Sequence, residues 1–190
     1  MIVVQYPNNI KKEYTKYTIS YSNRGMDLEN LINQSNDYYL EKDRALIYKK
    51  PTPIGVVDVS YKNHKKVIEK AYFKEQSTLD YNGLYRGKYI DFDAKETLNK
   101  TSFPLSNIHE HQINHIRNVI RHNGIAFLII RMNGIVYLFP GENLIYYIDN
   151  EKRKSIAYQY IQENSCIIKE GYQPTLDYLK AVDEVFFKGE

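Results

Sequence analysis

The stretch Tyr89-Ile90-Asp91-Phe92-Asp93-Ala94-Lys95-Glu96-Thr97 alternates between polar and apolar side chains. This period of two predicts a β-strand that turns Asp91, Asp93 and Lys95 to one face and its apolar residues to the other. A strand face that carries two carboxylates and an ammonium group is unusual. It is explained if that face binds a divalent cation and holds a phosphate group beside it.

A further carboxylate precedes this strand, in Ser77-Thr78-Leu79-Asp80-Tyr81-Asn82-Gly83. The pattern predicts two strands joined by the hairpin turn Arg86-Gly87-Lys88. We also interpret Asn82-Gly83 as a turn signal between the two carboxylates. The pairing of the two strands would then bring Asp80 beside Asp93.

These residue types suit the hydrolysis of a phosphodiester bond. Mg²⁺ takes oxygen ligands, commonly one or two carboxylates with waters and phosphate oxygens, and Asp80 and Asp93 can supply those carboxylates. A bound metal lowers the pKa of a water molecule, and Lys95 on the same face can orient that water or offset charge in the transition state. On the residues alone a metal-dependent nuclease is one interpretation among others, because a carboxylate two residues before a lysine occurs by chance in many charged proteins.

The composition is that of an ordinary globular domain. The chain has 190 residues, of which 43% are hydrophobic and 26% are charged. We find neither an apolar run near the roughly 18 residues of a membrane-spanning helix nor the apolar core of a signal peptide. Cys166 is the only cysteine, so no disulfide can form within the chain. We therefore expect a cytoplasmic protein with no membrane partner, and a buried Cys166 side chain.

Positive charge is concentrated in one part of the chain. The net charge is only +3, whereas residues 42–74 contain nine lysines and arginines against three acidic residues, a local charge of +6. Such a patch is typical of a protein that binds a polyanion, and a solvated lysine-rich face would look the same. The nineteen tyrosines have two interpretations as well: a biased base composition, or side chains that stack on bases and contact phosphates.

The remaining periodicities predict a mixed α/β protein with one central sheet. Residues 1–22 are interpreted as a flexible arm, and the polar, basic segment 61–73 is expected to protrude. The wholly apolar run 125–130 is typical of a central strand that is covered on both faces. Helices are predicted at about 27–40, at about 108–122 and after Pro174, and strands over 45–48, 54–59, 80–85, 89–96, 125–130 and 132–138, the last two joined at the hairpin signal Asn133-Gly134.

Several motifs, taken in order, resemble the bacterial RecU family of Holliday junction resolvases, from about Asn23 to the end of the chain. They are Asn23-Arg24-Gly25-Met26, Lys49-Lys50-Pro51-Thr52-Pro53, Ala71-Tyr72-Phe73, Asp80-Tyr81-Asn82-Gly83, Tyr89-Ile90-Asp91-Phe92-Asp93-Ala94-Lys95-Glu96-Thr97, Asn99-Lys100-Thr101-Ser102-Phe103-Pro104-Leu105, His111-Gln112 and Tyr172-Gln173-Pro174-Thr175-Leu176-Asp177-Tyr178.

The resemblance implies a fold and an activity. The fold would be a restriction-endonuclease-like α/β core, with a central mixed β-sheet flanked by helices and a PD-(D/E)xK site. Residues 23–190 would form a single nuclease domain with a protruding basic stalk at about 57–76. The family acts as a homodimer, uses Mg²⁺, for which Mn²⁺ can substitute, and nicks opposing strands of a four-way DNA junction symmetrically. It is also linked to RecA and to the branch-migration machinery.

The resemblance also assigns residues. It implies that Asp80, Asp93 and Lys95 are catalytic. It places four residues at the metal site: Thr78, Asp80, Asp93 and Gln112. It assigns DNA binding to Arg24, Lys49, Lys50, Lys65 and Lys66. The chain departs from the family pattern at Asp93, where relatives usually have Glu, and at Leu79, where the motif nominally has proline. Its N-terminal arm is also shorter, and the basic stalk residues Lys62, Lys65 and Lys66 are shifted, with one position deleted.

Other interpretations remain open on the sequence. A non-catalytic junction binder that modulates RecA would nick no DNA, although it would have no need of carboxylates near DNA. A nuclease with another substrate could use the same core. Four histidines invite a zinc site, for which a helix that faces DNA or a second subunit is the preferred alternative: His109, His111, His115 and His122. We interpret Glu29 as a first-turn acid that complements the helix dipole. Glu96 points away from Lys95 on the strand, and we interpret it as a structural residue or as one that supports the site residues.

Overall fold

The computed structural model describes residues 27–74 and 78–188. The predicted arm over residues 1–22 and the predicted DNA-binding residue Arg24 lie outside these ranges. The helices are α1 Leu28–Glu41, α2 Glu110–Arg121, α3 Gly141–Asn150, α4 Tyr158–Asn164 and α5 Tyr178–Phe186, with a 3-10 turn at Leu105–Asn107. The strands are β1 Leu46–Lys49, β2 Ile54–Lys62, β3 Lys65–Phe73, β4 Tyr81–Tyr85, β5 Lys88–Thr97, β6 Ser102–Pro104, β7 Ile125–Met132, β8 Ile135–Pro140, β9 Ser155–Ala157 and β10 Cys166–Ile168.

A six-stranded mixed sheet forms the centre of the fold, with the strand order β1-β4-β5-β7-β8-β10. Strands β5 and β7 run parallel, and α2 connects them, while every other neighbouring pair in this sheet is antiparallel. All residues of β7 except Arg131 are buried, as the apolar run predicts. The predicted fold class, an α/β core with a central mixed sheet flanked by helices, is confirmed.

Two hydrophobic cores cover the two faces of this sheet. Helices α1 and α5 pack on one face, and α2, α3 and α4 pack on the other. On the first face the rings of Tyr81, Phe92 and Phe127 stack across β4, β5 and β7, with centroids 4.9 and 4.7 Å apart. Because this stack holds the apolar face of β5, the strand turns Asp91 and Asp93 to the opposite face, where α2 lies.

Two predicted hairpins are confirmed. Strand β4 ends at Tyr85 and β5 begins at Lys88, and the two residues between them have positive φ angles. Asn133 and Gly134 join β7 to β8 in the same way, with φ of 53° and 75°. Positive φ at both central residues is the requirement of the tight turn that joins twisted antiparallel strands.

The turn predicted at Asn82-Gly83 is wrong, because both residues lie inside β4. A Cβ atom on Gly83 would lie 2.0 Å from the carbonyl oxygen of Leu46 and 2.7 Å from the Cα of Ile47. The glycine therefore lets the edge strand β1 approach β4 closely.

The final helix begins later than its predicted start at Pro174. Leu176 forms a bridge with Glu170, and its amide donates a hydrogen bond to Ser35 Oγ at 2.9 Å. The amide of Asp177 donates to the carbonyl oxygen of Lys169 at 3.0 Å. Because these contacts engage the amides in an extended segment, α5 starts only at Tyr178. Leu176 is nevertheless buried.

Strands β2 and β3 form a separate two-stranded ribbon, Ile54–Phe73, outside the central sheet. Its turn lies at Asn63 and His64, which both have positive φ angles. Gly55 is the only buried residue in the ribbon. The described residues 61–73 are therefore exposed or partly exposed, and their assignment to a protruding stalk stays a prediction. The ribbon begins at Ile54, and β2 runs to Lys62 rather than to residue 59.

Candidate active site

Asp93 lies in the middle of β5 with a side chain that is completely buried. Its Oδ2 atom lies 3.0 Å from the ammonium nitrogen of Lys95 and also accepts a hydrogen bond from the side-chain amide of Gln112. Its Oδ1 atom is buried and has no hydrogen-bond partner among the described residues. A buried carboxylate oxygen without a donor is costly, so this atom marks a position where a ligand would be stabilised.

Asp80 directly precedes β4, whose first residue, Tyr81, pairs with Phe92 of β5. The pairing brings the carboxyl of Asp80 to that of Asp93, as the sequence predicts. The carbonyl oxygen of Asp80 also accepts a hydrogen bond from the amide of Lys50 at 2.7 Å, which ties the residue to the end of β1. The half-buried Asp80 thus sits between two strands and beside a second carboxylate.

Burial raises the pKa of the Asp93 carboxyl to about 7. The positive charge of Lys95 opposes this shift, and the negative charge of Asp80 adds to it. Two adjacent carboxylates, one of them buried with an unpartnered oxygen, form a hard oxygen donor set that fits a divalent cation such as Mg²⁺. Within residues 27–74 and 78–188 we find no cluster of three or more His, Cys, Asp or Glu side chains suited to a metal. A zinc site of the histidines is therefore not supported there.

Gln112 lies in the first turn of α2 and serves two partners. Its Oε1 atom accepts a hydrogen bond from the amide of His109 at 3.1 Å, which caps the helix, while its amide nitrogen donates to Asp93. Through these two contacts Gln112 links the start of α2 to Asp93. Its role as a metal ligand stays a prediction. Sequence reasoning missed this cap, which the three-residue spacing between His109 and Gln112 could have indicated.

Thr78 is half-buried and lies two residues before Asp80, next to residues 75–77, which are outside the described part of the chain. Its hydroxyl donates to the carbonyl oxygen of Leu79 at 3.4 Å. Leu79, at the motif's nominal proline position, is completely buried in the core that α2 covers. The assignment of Thr78 to the metal site stays a prediction.

A second polar cluster lies beside the first. Sequence reasoning placed Asp91 on the face of Asp93 and assigned Lys50 to DNA binding, but it did not predict that these two side chains meet. Asp91 is completely buried and accepts two hydrogen bonds from the ammonium of Lys50, at 3.0 and 2.9 Å. Its Oδ2 atom also lies 2.6 Å from the hydroxyl of Tyr89 and 2.8 Å from Nε2 of His115. Burial, and then the hydrogen bond to Asp91, raises the pKa of Tyr89 to about 12.

The predicted DNA-binding lysines fall in two places. Lys50 contacts Asp91 beside the candidate metal site, and Lys49 forms an ion pair with Glu29 in the first turn of α1. Lys65 and Lys66 are exposed at the far end of the ribbon, immediately after its turn. The structure therefore brings Lys50 to the carboxylates and leaves Lys65 and Lys66 on a separate surface.

Three further predictions concern residues around the site. Glu96 accepts a hydrogen bond from Arg131 at 2.8 Å on the surface of the sheet, and its supporting role stays a prediction. The first-turn position of Glu29 is confirmed, with Lys49 as an added partner. Cys166 is only half-buried, because it lies on the outer strand β10, and its thiol contacts Glu184 at 3.2 Å.

Comparisons with known proteins identify the family. A family model described as "Recombination protein U" matches residues 23–184. This chain belongs to the RecU family. The Holliday junction resolvase RecU of Oceanobacillus iheyensis is 48% identical over 196 aligned residues, which cover 97% of this chain and all of that protein. The RecU resolvases of Shouchella clausii and a Geobacillus species are 51% and 49% identical, over 90% and 94% of this chain and 84% and 92% of those proteins.

Among solved structures, the Holliday junction resolvase Hjc of Archaeoglobus fulgidus matches with a TM-score of 0.40 and 8% sequence identity, over 72% of this chain and 94% of that chain. A likeness at this level supports no conclusion about fold or function. In the described part of this RecU family member, no helix combines the length and the apolar character that a membrane crossing requires.

Proposed function

We infer that this chain is a Holliday junction resolvase, an endonuclease that hydrolyses phosphodiester bonds in four-way DNA junctions during recombination and repair. The RecU relatives that bear this name are 48% and 51% identical to the chain over nearly its whole length. The observation that carries the inference is the buried Asp93 carboxylate, which has an oxygen without a partner, lies beside Asp80 and has the Lys95 ammonium at 3.0 Å.

The site depends on a divalent metal ion, and we propose Mg²⁺ as that ion, with Mn²⁺ as a substitute. Asp80 and Asp93 would hold it, with Thr78 and Gln112 as further candidates. When bound, the ion would supply a water molecule of lowered pKa and offset negative charge on the phosphate. Its positive charge would also offset the negative charge of the two carboxylates, of which that of Asp93 is buried.

The side chains of the chain itself prepare this site. Gln112 and Lys95 both contact one oxygen of Asp93, so they fix the carboxylate in one orientation and leave the other oxygen for a ligand. Lys95 is still about one-fifth exposed, so its ammonium can contact a phosphate bound beside Asp93. A positive group held at that place stabilises charge that develops in the transition state without reorganising.

The symmetry of the junction substrate suggests the oligomeric state of the active protein. We propose a homodimer, because a four-way junction has approximate two-fold symmetry and an isologous dimer presents two equivalent sites. In this assembly the exposed ribbon, with Lys65 and Lys66 near its tip, would enter the centre of the junction, and Arg24 and Lys49 would contribute further DNA contacts. Links to RecA and to the branch-migration machinery, a cytoplasmic location, and a single nuclease domain over residues 23–190 complete the proposal.

A gel assay tests this function. A four-way junction labelled on each strand in turn is incubated with the protein in Mg²⁺, in Mn²⁺ and in EDTA, beside a linear duplex of the same sequence. We expect paired nicks at symmetric positions of opposing junction strands, in either metal but not in EDTA, and little cleavage of the duplex. Lys95→Ala should bind the junction and nick it far more slowly.

The outcomes of this assay separate the alternatives. Junction binding without nicking in either metal would favour a non-catalytic junction binder that modulates RecA. Equal cleavage of junction and duplex would indicate a nuclease for another substrate. Nicking by Lys95→Ala at the wild-type rate would remove Lys95 from the mechanism.

A further inference from the structure

Strand β5 and helix α2 meet at two successive pairs of polar side chains. Asp93 contacts Gln112, and two residues earlier on β5, Asp91 contacts His115, which lies three residues further along α2. Side chains two residues apart on a strand share a face and are separated by about 6.6 Å along it. The Asp91 cluster therefore lies directly beside the candidate metal site, on the same face of the sheet.

The Asp91 cluster brings several hydrogen-bond donors together at the surface beside the candidate metal site. Asp91 is fully buried, whereas the side chains of Lys50 and His115 each keep 21% of their surface exposed. A lysine ammonium has three N–H donors, and the two contacts to Asp91 leave a third. Among the described residues His115 makes a hydrogen bond through Nε2, so its Nδ1 can face a second acceptor.

A purely structural ion pair is the competing explanation. Such a pair adds little stability, since the cost of burying the charges offsets their attraction. Here Tyr89, Lys50 and His115 converge on one carboxylate from three segments of the chain, and they keep their outer sides open to solvent. That arrangement holds cationic and polar groups at fixed positions on the surface beside the metal site.

The surface continues beyond this cluster in the direction away from Asp93. The ring of Tyr89 lines an open cavity of about 580 Å³ together with Lys88 and residues at the end of α2. Among those residues Asn118 and His122 follow His115 at helical spacing, so they share its side of the helix. A DNA strand with one phosphate at the metal site could continue along this line, past Asn118 and His122.

We propose that Lys50 and His115, held in place by Asp91, bind the phosphate that neighbours the scissile phosphate on the cleaved strand. The proposal rests on the nuclease function proposed above, and it adds a substrate subsite to that function. The step of two residues along β5 is comparable to the spacing of neighbouring phosphates on one DNA strand. Asp91 is a positioning residue in this account, because it orients both donors without contacting DNA.

The first test measures how the junction affinity depends on salt. Lys50→Gln removes one cationic contact with a phosphate, so the slope of log affinity against log salt concentration should become shallower by about one. Affinity at low salt should fall roughly tenfold. The matched control is Lys180→Gln, which removes an exposed lysine on α5, on the opposite face of the sheet, and should change neither quantity. A merely structural role for Lys50 would lower the unfolding temperature without changing the slope.

The second test changes the substrate. Junctions carry one neutral methylphosphonate at successive positions around the cleavage site, and binding is measured without divalent cations for wild type and Lys50→Gln. In wild type, the neutral group next to the scissile position should weaken binding roughly tenfold. In the variant the same group should cause little further loss, because the contact is already absent. Equal losses in both proteins at every position would overturn the proposal.

A substitute variant and an independent reference complete the design. If Lys50→Gln does not fold, His115→Gln takes its place, because its amide can still donate to Asp91. Nicking of the unmodified junction by wild type in Mg²⁺ tests the nuclease function separately. If wild type nicks the junction, but the methylphosphonate and Lys50→Gln weaken binding additively, only the subsite is rejected. If wild type does not nick the junction, the proposed function itself is rejected.

Discussion

Replacement of Asp93 by Asn should stabilise the metal-free protein, and the gain should depend on pH. The carboxyl is completely buried and its pKa is raised from 3.8 to about 7, chiefly by burial. Between about pH 4 and pH 7 the folded protein therefore holds a proton on Asp93 that the unfolded chain has released. Stability falls with rising pH wherever the folded state binds more protons, so wild type loses stability across this window. The carboxamide of the variant has no titrating group at this position and avoids the loss.

The magnitude follows from the size of the pKa shift. A shift of roughly three units corresponds to about 4 kcal/mol once the pH lies above both pKa values. From pH 5 to pH 8 about two of these units take effect, so the stability of Asp93→Asn relative to wild type should rise by roughly 3 kcal/mol. The pKa of about 7 already includes the attraction of Lys95, which opposes the effect of burial.

Urea unfolding followed by circular dichroism, in EDTA at both pH values, measures this difference. The matched control is Asp149→Asn, an exposed carboxylate whose pKa is lowered by its hydrogen bond with Arg117. Because this carboxyl is ionised in both the folded and the unfolded protein above pH 5, the stability of the control relative to wild type should not change between pH 5 and pH 8. The reasoning is refuted if the two pH values give the same difference between Asp93→Asn and wild type. Added Mg²⁺ should stabilise wild type at pH 8 and have little effect on Asp93→Asn, because it binds only the intact site.

Three further variants test the fold and the DNA surface. Phe92→Ala removes the middle ring of the aromatic stack and should lower the free energy of unfolding by about 3 to 5 kcal/mol in urea, whereas Phe73→Ala at an exposed position should change it by less than about 0.5 kcal/mol. Gly83→Ala should destabilise the protein in the same assay, because its Cβ would collide with the backbone of β1. The double variant Lys65→Gln and Lys66→Gln should reduce the salt slope of junction binding by about two and leave the single-turnover nicking rate unchanged.

Each of these expectations has a contradicting result. Equal losses for Phe92→Ala and Phe73→Ala would show that the ring stack does not organise the sheet. A Gly83→Ala protein of wild-type stability would show that β1 does not approach β4 as closely as the structure has it. An unchanged salt slope in the ribbon variant would remove the ribbon tip from the DNA surface.

Local periodicity predicted the centre of the fold. The alternation in β5 is typical of a strand with two different faces, and the continuous apolar run of β7 is typical of a strand covered on both faces. Both strands, and the face that carries Asp93, could therefore be predicted. The turn at Asn133-Gly134 is equally local, because positive φ angles there are a property of those residues.

The errors arose where a distant contact overrides a local signal. Asn82-Gly83 has the composition of a turn, yet the glycine serves the close approach of β1. Likewise Pro174 has the appearance of a helix start, but Ser35 on α1 binds the amide of Leu176 and keeps that segment extended. Neither partner can be identified from the neighbouring residues.

The same limit applies to the candidate site. Asp80, Asp93 and Lys95 are close in sequence, and strand pairing alone was enough to predict that they converge. The Asp91 cluster was missed because Lys50 lies 41 residues and His115 lies 24 residues from Asp91. Only the packing of α2 and the end of β1 against β5 brings these side chains to one carboxylate.

The most direct test of the central claim is the single-turnover rate of junction nicking by Asp80→Asn in Mg²⁺, with junction binding measured on the same preparation. Loss of one carboxylate from the paired site should lower the rate by roughly 100-fold or more and leave the affinity for the junction within about twofold of wild type. A variant that nicks the junction at the wild-type rate would contradict the assignment of this carboxylate pair as the centre that cuts DNA.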